Sequence, residues 1–365
     1  MNPLRTNNAI QEPGLMPGLK KDPYKLLIVD DSRIMRKAIA NIFDEDDRVQ
    51  VVGEAEDGAE AMEMLSQINA DVVTLDVEMP IMDGLTTLKH MMVENPTPTV
   101  MISTLTHEGT SVTFDALKYG AVDFIPKPSS ISGKDLQKQS REISRKVTLA
   151  AAVDINSVKY IRAVRKVTRK SLKTPECKNI IAIGAAEGGY GALLKIIPQL
   201  PADFPATCLI VLHTEAIHVD AFVRYLNDHS AMKIKRACDG EPVKGGVCYI
   251  GPGEEYLTIR KIDNRPVVFA NPAPFAARRA VNMLMFSVAE TMRNQSIGLI
   301  LSGSGPDGNE GMAEIHRVGG IAIAQDPKNC MYSEMSKAAL DCCDVDQVLS
   351  DTDIAEALID LAETR

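Results

Sequence analysis

The amino-acid sequence predicts an α/β protein made of two doubly wound parallel-sheet domains joined by a basic linker. Three observations carry this. The chain has 365 residues, more than one ordinary core organises, so about two domains are expected. Short β-branched runs alternate with amphipathic stretches of helical length from Tyr24 to about Lys127, and the alternation resumes at Lys178. Between these blocks, 129–177 is polar and rich in lysine and arginine, which marks a partly helical linker.

Residues 1–23, MNPLRTNNAIQEPGLMPGLKKDP, have no apolar core before a small-residue cleavage site, so a disordered leader is expected rather than a secretory signal. Residues 24–128 hold KLLIVDD, VQVVGEAED, DVVTLDV, TVMIST and VDFIPKP, five strands with helices between them. In the linker, SVKYIRAVRKVTRKSLK carries seven cations and no acid, with Val158, Ile161 and Val164 on one helical stripe. A solvated spacer helix is expected there, with contact to an anionic partner as the alternative. The second domain, 178–365, opens on NIIAIGA and continues through ATCLIVLH, IGLILSG and GGIAIAQD, continuous apolar runs suited to strands covered on both faces. Its middle, GGVCYIGPGEEYLTIRKIDNRPVVFANP, alternates in polarity, with turns at Gly251-Pro252-Gly253 and Asp263-Asn264, and predicts an antiparallel hairpin excursion. In DIAEALIDLAETR, Ile354, Leu358 and Leu361 share a stripe that closes the core.

Composition excludes several classes. The longest apolar runs, such as SIGLILSG, stop well short of the ~20 residues that cross a bilayer, so no membrane span is expected. Seven cysteines without a C-x-x-C pair offer neither a disulfide framework nor a zinc signature, and a cytoplasmic location is expected. A net charge of −9 argues against nucleic acid as a partner of the whole molecule.

In open parallel sheets, ligands gather outside the carboxyl ends of the strands. In the first domain those ends carry Asp30-Asp31, Asp76, Ser103 and Lys127. Converging carboxylates repel unless a hard divalent cation, best Mg²⁺, joins them. Asp76 can then attack a phosphoryl group, with Ser103 and Lys127 binding its oxygens. LLIVDDS, LDVEMPIMDGL, MIST and DFIPKPSS resemble a response-regulator receiver domain, of flavodoxin-like fold. The resemblance implies phosphorylation of Asp76 by a histidine kinase. It also sets Phe124 at the switch-aromatic position, where core packing alone would equally place a phenylalanine.

The second domain begins with IIAIGAAEGGYGAL, a strand, tight glycine turn and helix of the kind that presents a nucleophile. Between Gly184 and Gly189, however, the turn offers only Ala185, Ala186, Glu187 and Gly188. The same edge rule brings His213, after CLIVL, and Asp307, in LSGSGPDGNEGM, beside it. An aspartate orienting a histidine supplies two of the three roles of an acyl-transfer triad. IGAAEGGYGAL, VLH, YIGPGEEYL, AVNMLMFSVAE, GSGPDGNEGM and IAQDPKNC resemble the effector domain of the CheB family of chemotaxis protein-glutamate methylesterases.

That resemblance implies removal of methyl esters from chemoreceptor glutamates and deamidation of receptor glutamines, accelerated when the receiver is phosphorylated. It places the family's catalytic serine at Ala186, the neighbouring threonine at Glu187, and a glycine-flanked methionine at Ser304, while His213 and Asp307 match. A methyl group forms no acyl-enzyme, and loss of a triad nucleophile typically lowers the rate about a millionfold, ~8 kcal/mol of barrier. The expected protein is a chemosensory response regulator with a pseudoenzyme effector that acts by binding a receptor, a kinase or another regulator. The alternative is an active methylesterase or deamidase that uses a displaced serine, Ser302 or Ser304, or a water oriented by Glu187 and His213. The plainer expectation for Glu187 is to cap the following helix.

Overall fold

The structure, a computed structural model, describes residues 22–44, 46–103, 107–127, 134–155, 177–273 and 279–364. Most of the expected leader and the basic stretch at 158–173 lie outside the described residues.

The first unit runs β1 (Tyr24–Val29), α1 (Arg33–Phe43), β2 (Val49–Ala55), α2 (Gly58–Gln67), β3 (Val72–Asp76), α3 (Gly84–Glu94), β4 (Thr99–Ser103), α4 (His107–Lys118), β5 (Asp123–Pro126) and α5 (Lys134–Ala151). Its five strands pair in parallel in the order β2-β1-β3-β4-β5. Alternate residues of each strand feed opposite faces, because side chains along a strand have a period of two. Leu27, Val29, Val73, Leu75 and Met101 pack with Leu65, Leu88, Met91 and Phe114 on one face. Leu26, Ile28, Val100 and Ile102 pack with Ile39, Phe43, Ile143 and Val147 on the other.

This corrects the expected boundary at residue 128. The start of the basic linker is α5, whose Ile143, Val147 and Ala150 complete the second face of the first sheet. The charged residues interspersed along the helix hid that apolar stripe from a reading by composition.

The second unit runs β6 (Asn179–Ala185), α6 (Gly189–Ile196), β7 (Ala206–Leu212), α7 (Ala216–Asp228), β8 (Lys233–Arg236), β9 (Glu241–Pro242), β10 (Val247–Pro252), β11 (Glu255–Ile262), β12 (Arg265–Pro272), α8 (Ala280–Met292), β13 (Ser296–Ile300), α9 (Asn309–Arg317), β14 (Ile321–Gln325), α10 (Glu334–Cys342), β15 (Gln347–Leu349) and α11 (Ile354–Thr364). Seven strands form a parallel sheet ordered β15-β14-β13-β6-β7-β10-β8, and β11, β12 and β9 form a small antiparallel sheet.

The antiparallel excursion is therefore shorter than the sequence predicts. VCYIGP is β10, a parallel strand between β7 and β8 and buried throughout. Its apparent polarity came from Tyr249, which is fully buried. The Tyr249 hydroxyl accepts from the Lys244 amide at 3.2 Å and donates to the Pro242 carbonyl at 3.4 Å. The hairpin proper joins β11 to β12 through Asp263 and Asn264, both at positive φ (49° and 62°), as a two-residue hairpin turn requires.

The two units pack together. Helix α4 of the first unit inserts Phe114 among Tyr190 of α6 and Phe222 and Tyr225 of α7. Among the described residues no helix is long and apolar enough to cross a membrane.

Candidate functional site

In the first sheet the chain leaves β1 for β2 on one side and returns to β3 on the other, so a crevice opens where these strands end. Asp30 follows β1 and Asp76 closes β3. With the exposed Asp31 they bring one carboxylate oxygen each to within 4.8 Å of one another. Lys127, just past β5, donates from Nζ to Asp76 Oδ2 at 2.7 Å and stands 3.4 Å from Asp30 Oδ2. Ser103 ends β4, and its carbonyl accepts the Lys127 amide at 2.9 Å, which fixes these two residues side by side. Burial raises the Asp30 and Asp76 carboxyls above the usual range, with Lys127 opposing the shift. Burial would lower the Lys127 ammonium, but its contacts with Asp76 and Asp30 hold it above its ordinary value.

One ammonium facing three carboxylates leaves negative charge uncompensated, and Asp30 Oδ2 is buried without a hydrogen bond. Clustered hard oxygen donors of this kind fit a divalent cation. All five residues expected at this site are thus brought together. Gly84, which the sequence did not single out, makes it possible: a Cβ there would lie 1.9 Å from the Asp76 carbonyl oxygen.

The second sheet has its crevice between β6 and β13. Four strand ends are stitched there by three backbone bonds: Ala186 N to Ser302 O at 3.0 Å, His213 N to Ala185 O at 2.9 Å and Gly253 N to Leu212 O at 2.9 Å. His213 Nε2 lies 2.8 Å from Asp307 Oδ2. That carboxylate also accepts the amides of Val281 (2.9 Å) and Asn282 (3.0 Å), so Asp307 satisfies orphan donors in the first turn of α8. His213 Nδ1 faces away from Asp307 and sits against Gly253, where a Cβ would come within 2.3 Å of it.

Ala186 places an inert methyl, 3% exposed, at the end of β6. Both neighbouring serine hydroxyls are engaged with other partners. Ser302 Oγ donates to the Glu187 carbonyl at 3.0 Å and accepts the Tyr332 amide at 3.0 Å, while Ser304 Oγ donates to Glu187 Oε2 at 2.7 Å.

A CheB methylesterase profile matches residues 181–358, and a response regulator receiver profile matches 26–138. A protein-glutamate methylesterase/protein-glutamine glutaminase of Pyrococcus horikoshii is 38% identical over 344 residues, which is 93% of this chain and 94% of the relative. The chain belongs to the CheB methylesterase family. A second member, from Nitratidesulfovibrio vulgaris, is 37% identical over 364 residues, covering 92% of this chain and 98% of its own. The catalytic domain of Thermotoga maritima CheB methylesterase, a crystal structure, aligns at 32% identity over 50% of this chain and 98% of that one, with a TM-score of 0.49.

In this CheB-family chain Glu187 does not cap α6. The cap position is Gly188, in the left-handed region at φ 74° and without a side-chain cap bond. Glu187 instead reaches the receiver, with Oε1 2.5 Å from Arg145 of α5. Burial would raise its carboxyl, but the charge of Arg145 and the hydroxyl of Ser304 hold it below the ordinary value. Arg145 lay in the stretch that composition assigned to the linker, and no local signal pointed to it.

The switch-aromatic candidate, Phe124, is 2% exposed, and its ring centre lies 5.2 Å from Tyr190 and 5.5 Å from His218 of the effector. At the same interface, the Tyr225 hydroxyl, whose ring meets Phe114, donates to Asp115 of α4.

Proposed function

We propose that this protein is a chemosensory response regulator, phosphorylated on Asp76, whose CheB effector has lost covalent ester hydrolysis and acts by phosphorylation-dependent binding. The observation that carries the reading is Ala186: a methyl at the nucleophile position, beside an intact His213–Asp307 pair and two serines already engaged elsewhere. Persistence of the pair needs no catalysis, since Asp307 holds the first turn of α8.

In this reading Asp30, Asp31 and Asp76 hold Mg²⁺, which would supply charge neutralisation for phosphoryl transfer from a histidine kinase. Asp76 Oδ2 is the attacking atom. Lys127 holds that oxygen before transfer and then turns to the phosphoryl group, as does the Ser103 hydroxyl. The new charge draws on β4 and β5, the strands that lead to Phe124 and to the effector contact. The partners are a chemosensory kinase and the cytoplasmic portion of a methyl-accepting receptor.

Purified full-length protein, treated with a small phosphodonor and Mg²⁺, is expected to take up phosphate and to bind methylated receptor saturably without releasing methanol. Asp76→Asn is expected to abolish the uptake. Methanol release that depends on His213 would overturn the inactive assignment. In that outcome the effector is a methylesterase using a water, because both nearby serine hydroxyls point to Glu187 or its carbonyl.

A further inference from the structure

Among the residues that the family resemblance sets apart, Glu187 and Ser304 form one structural unit next to Ala186. Glu187 presents two carboxylate oxygens. Ser304 takes one of them twice, with its hydroxyl at 2.7 Å and its amide at 3.3 Å from Oε2. This fixes the carboxylate plane and leaves Oε1 facing the receiver, where Arg145 meets it. A threonine at 187 would bring no charge, and a methionine at 304 would bring no hydroxyl to orient it.

The glycine turn after β6 aims this carboxylate. Gly188, at φ 74°, bends the chain so tightly that a Cβ there would lie 2.6 Å from Ser302 Oγ and 2.8 Å from Met331 Cβ. On the receiver side α5 divides its charges. Lys146 turns inward, donating to the Phe124 carbonyl at 2.8 Å and approaching Asp123 at 3.3 Å, while Arg145 turns outward to Glu187. Tyr332, which follows Met331, belongs to the same apolar cluster as Ile143 and Val147 of α5, so the contact has a hydrophobic floor.

We propose that the former esterase turn of this chain is a guanidinium-binding site, built by Glu187 and Ser304 and filled in cis by Arg145. It is an ionic latch between effector and receiver. The inference rests on the reading of the turn as non-catalytic, because a carboxylate saturated by a guanidinium and a serine has no part in ester hydrolysis. With its carboxylate 14% exposed and its guanidinium 43% exposed, the pair is only partly screened by solvent, and its loss is expected to shift the domain-docking equilibrium ~3- to 10-fold.

The test is a double-mutant cycle in the full chain, read by amide hydrogen exchange in α5, α6 and α7. Arg145→Gln and Glu187→Thr are each expected to speed exchange at the contact ~3- to 10-fold, and the double variant no further than either single. Arg145→Lys, which keeps the charge without the planar fork, should fall between Arg145→Gln and the wild type. A single variant that exchanges like the wild type, or a double variant whose effect is the product of the singles, overturns the latch. Methanol release from methylated receptor, assayed on the same samples, addresses the non-catalytic reading separately: its appearance sinks that reading, whereas lost coupling without methanol sinks the latch alone.

Discussion

Phe114→Ala is expected to loosen the docking of receiver on effector while leaving both folded. Phe114 is 1% exposed, and its ring centre lies 5.8 Å from Phe124, 5.8 Å from Tyr190, 5.1 Å from Phe222 and 5.2 Å from Tyr225. Burying such a ring removes ~150–200 Å² from water, about 4–5 kcal/mol at ~25 cal/mol per Å². Core Phe→Ala changes cost about 3–5 kcal/mol, in the same range. Because three of the four neighbouring rings belong to the effector while Phe114 also packs in the receiver cluster of Leu88, Met91 and Met101, roughly two-thirds of the loss, ~2–3 kcal/mol, should fall on docking rather than on the receiver core. That is a shift of ~30- to 150-fold in the docking equilibrium. The assay is small-angle scattering and amide exchange on the full chain, with far-UV circular dichroism as the control for folding. Phe114→Leu, which keeps most of the volume, should retain most of the docking. If Phe114→Ala lowers the urea midpoint of the receiver by the full amount while the scattering profile stays compact, the aromatic cluster does not hold the domains together and the reasoning fails.

Asp307→Ala is expected to lower stability by ~2–4 kcal/mol in urea titrations, since it strands two amides of α8 as well as His213; Asp307→Asn, which keeps one acceptor, should cost less than half of that. A loss under ~0.5 kcal/mol would show that the α8 amides find other partners. Burial, reinforced by the Lys146 charge against the pull of Glu215 and Asp123, holds the buried His218 below its ordinary value of 6.5. The unfolded chain therefore takes up a proton near pH 6.5 that the folded chain refuses, so this stability is present above that pH and is lost as pH falls toward the lower folded value. Thermal midpoints should drop between pH 7 and 5. In His218→Asn that part of the slope should vanish, and an unchanged slope would assign it to another group. Finally, Ala186→Ser combined with Glu187→Thr is expected to raise methanol release from methylated receptor at least ~100-fold over wild type, because the His213–Asp307 pair is in place. Background rates in that variant would mean that His213 Nδ1 does not reach position 186.

The His213–Asp307 pair has a structural role of its own. Asp307 accepts three hydrogen bonds, two of them from helix amides. Removing it would leave buried donors without partners, whether or not an ester is ever hydrolysed. Gly253 is held in the same way, since any side chain there would collide with the imidazole ring of His213. Ala186 carries no such load: its buried methyl offers no donor or acceptor to any neighbour.

The sequence by itself determined the parallel sheets, because apolar runs and the acids, serine and lysine at their ends are local signals that burial and strand geometry read directly. It also determined that position 186 holds no nucleophile, which needs only the residue's identity. The turn at Asp263 and Asn264 was legible for the same reason, and its positive φ angles came with the structure. Tertiary structure alone decided that VCYIGP is a parallel core strand, since Tyr249 is made tolerable inside it by partners at Lys244 and Pro242. It alone decided that α5 belongs to the receiver and that Glu187 answers Arg145 rather than its own helix. A charge on a helix surface carries no mark of what it faces. Only packing brings a guanidinium from one domain against a carboxylate from another, and the apolar floor beneath them sets how much of that attraction survives water.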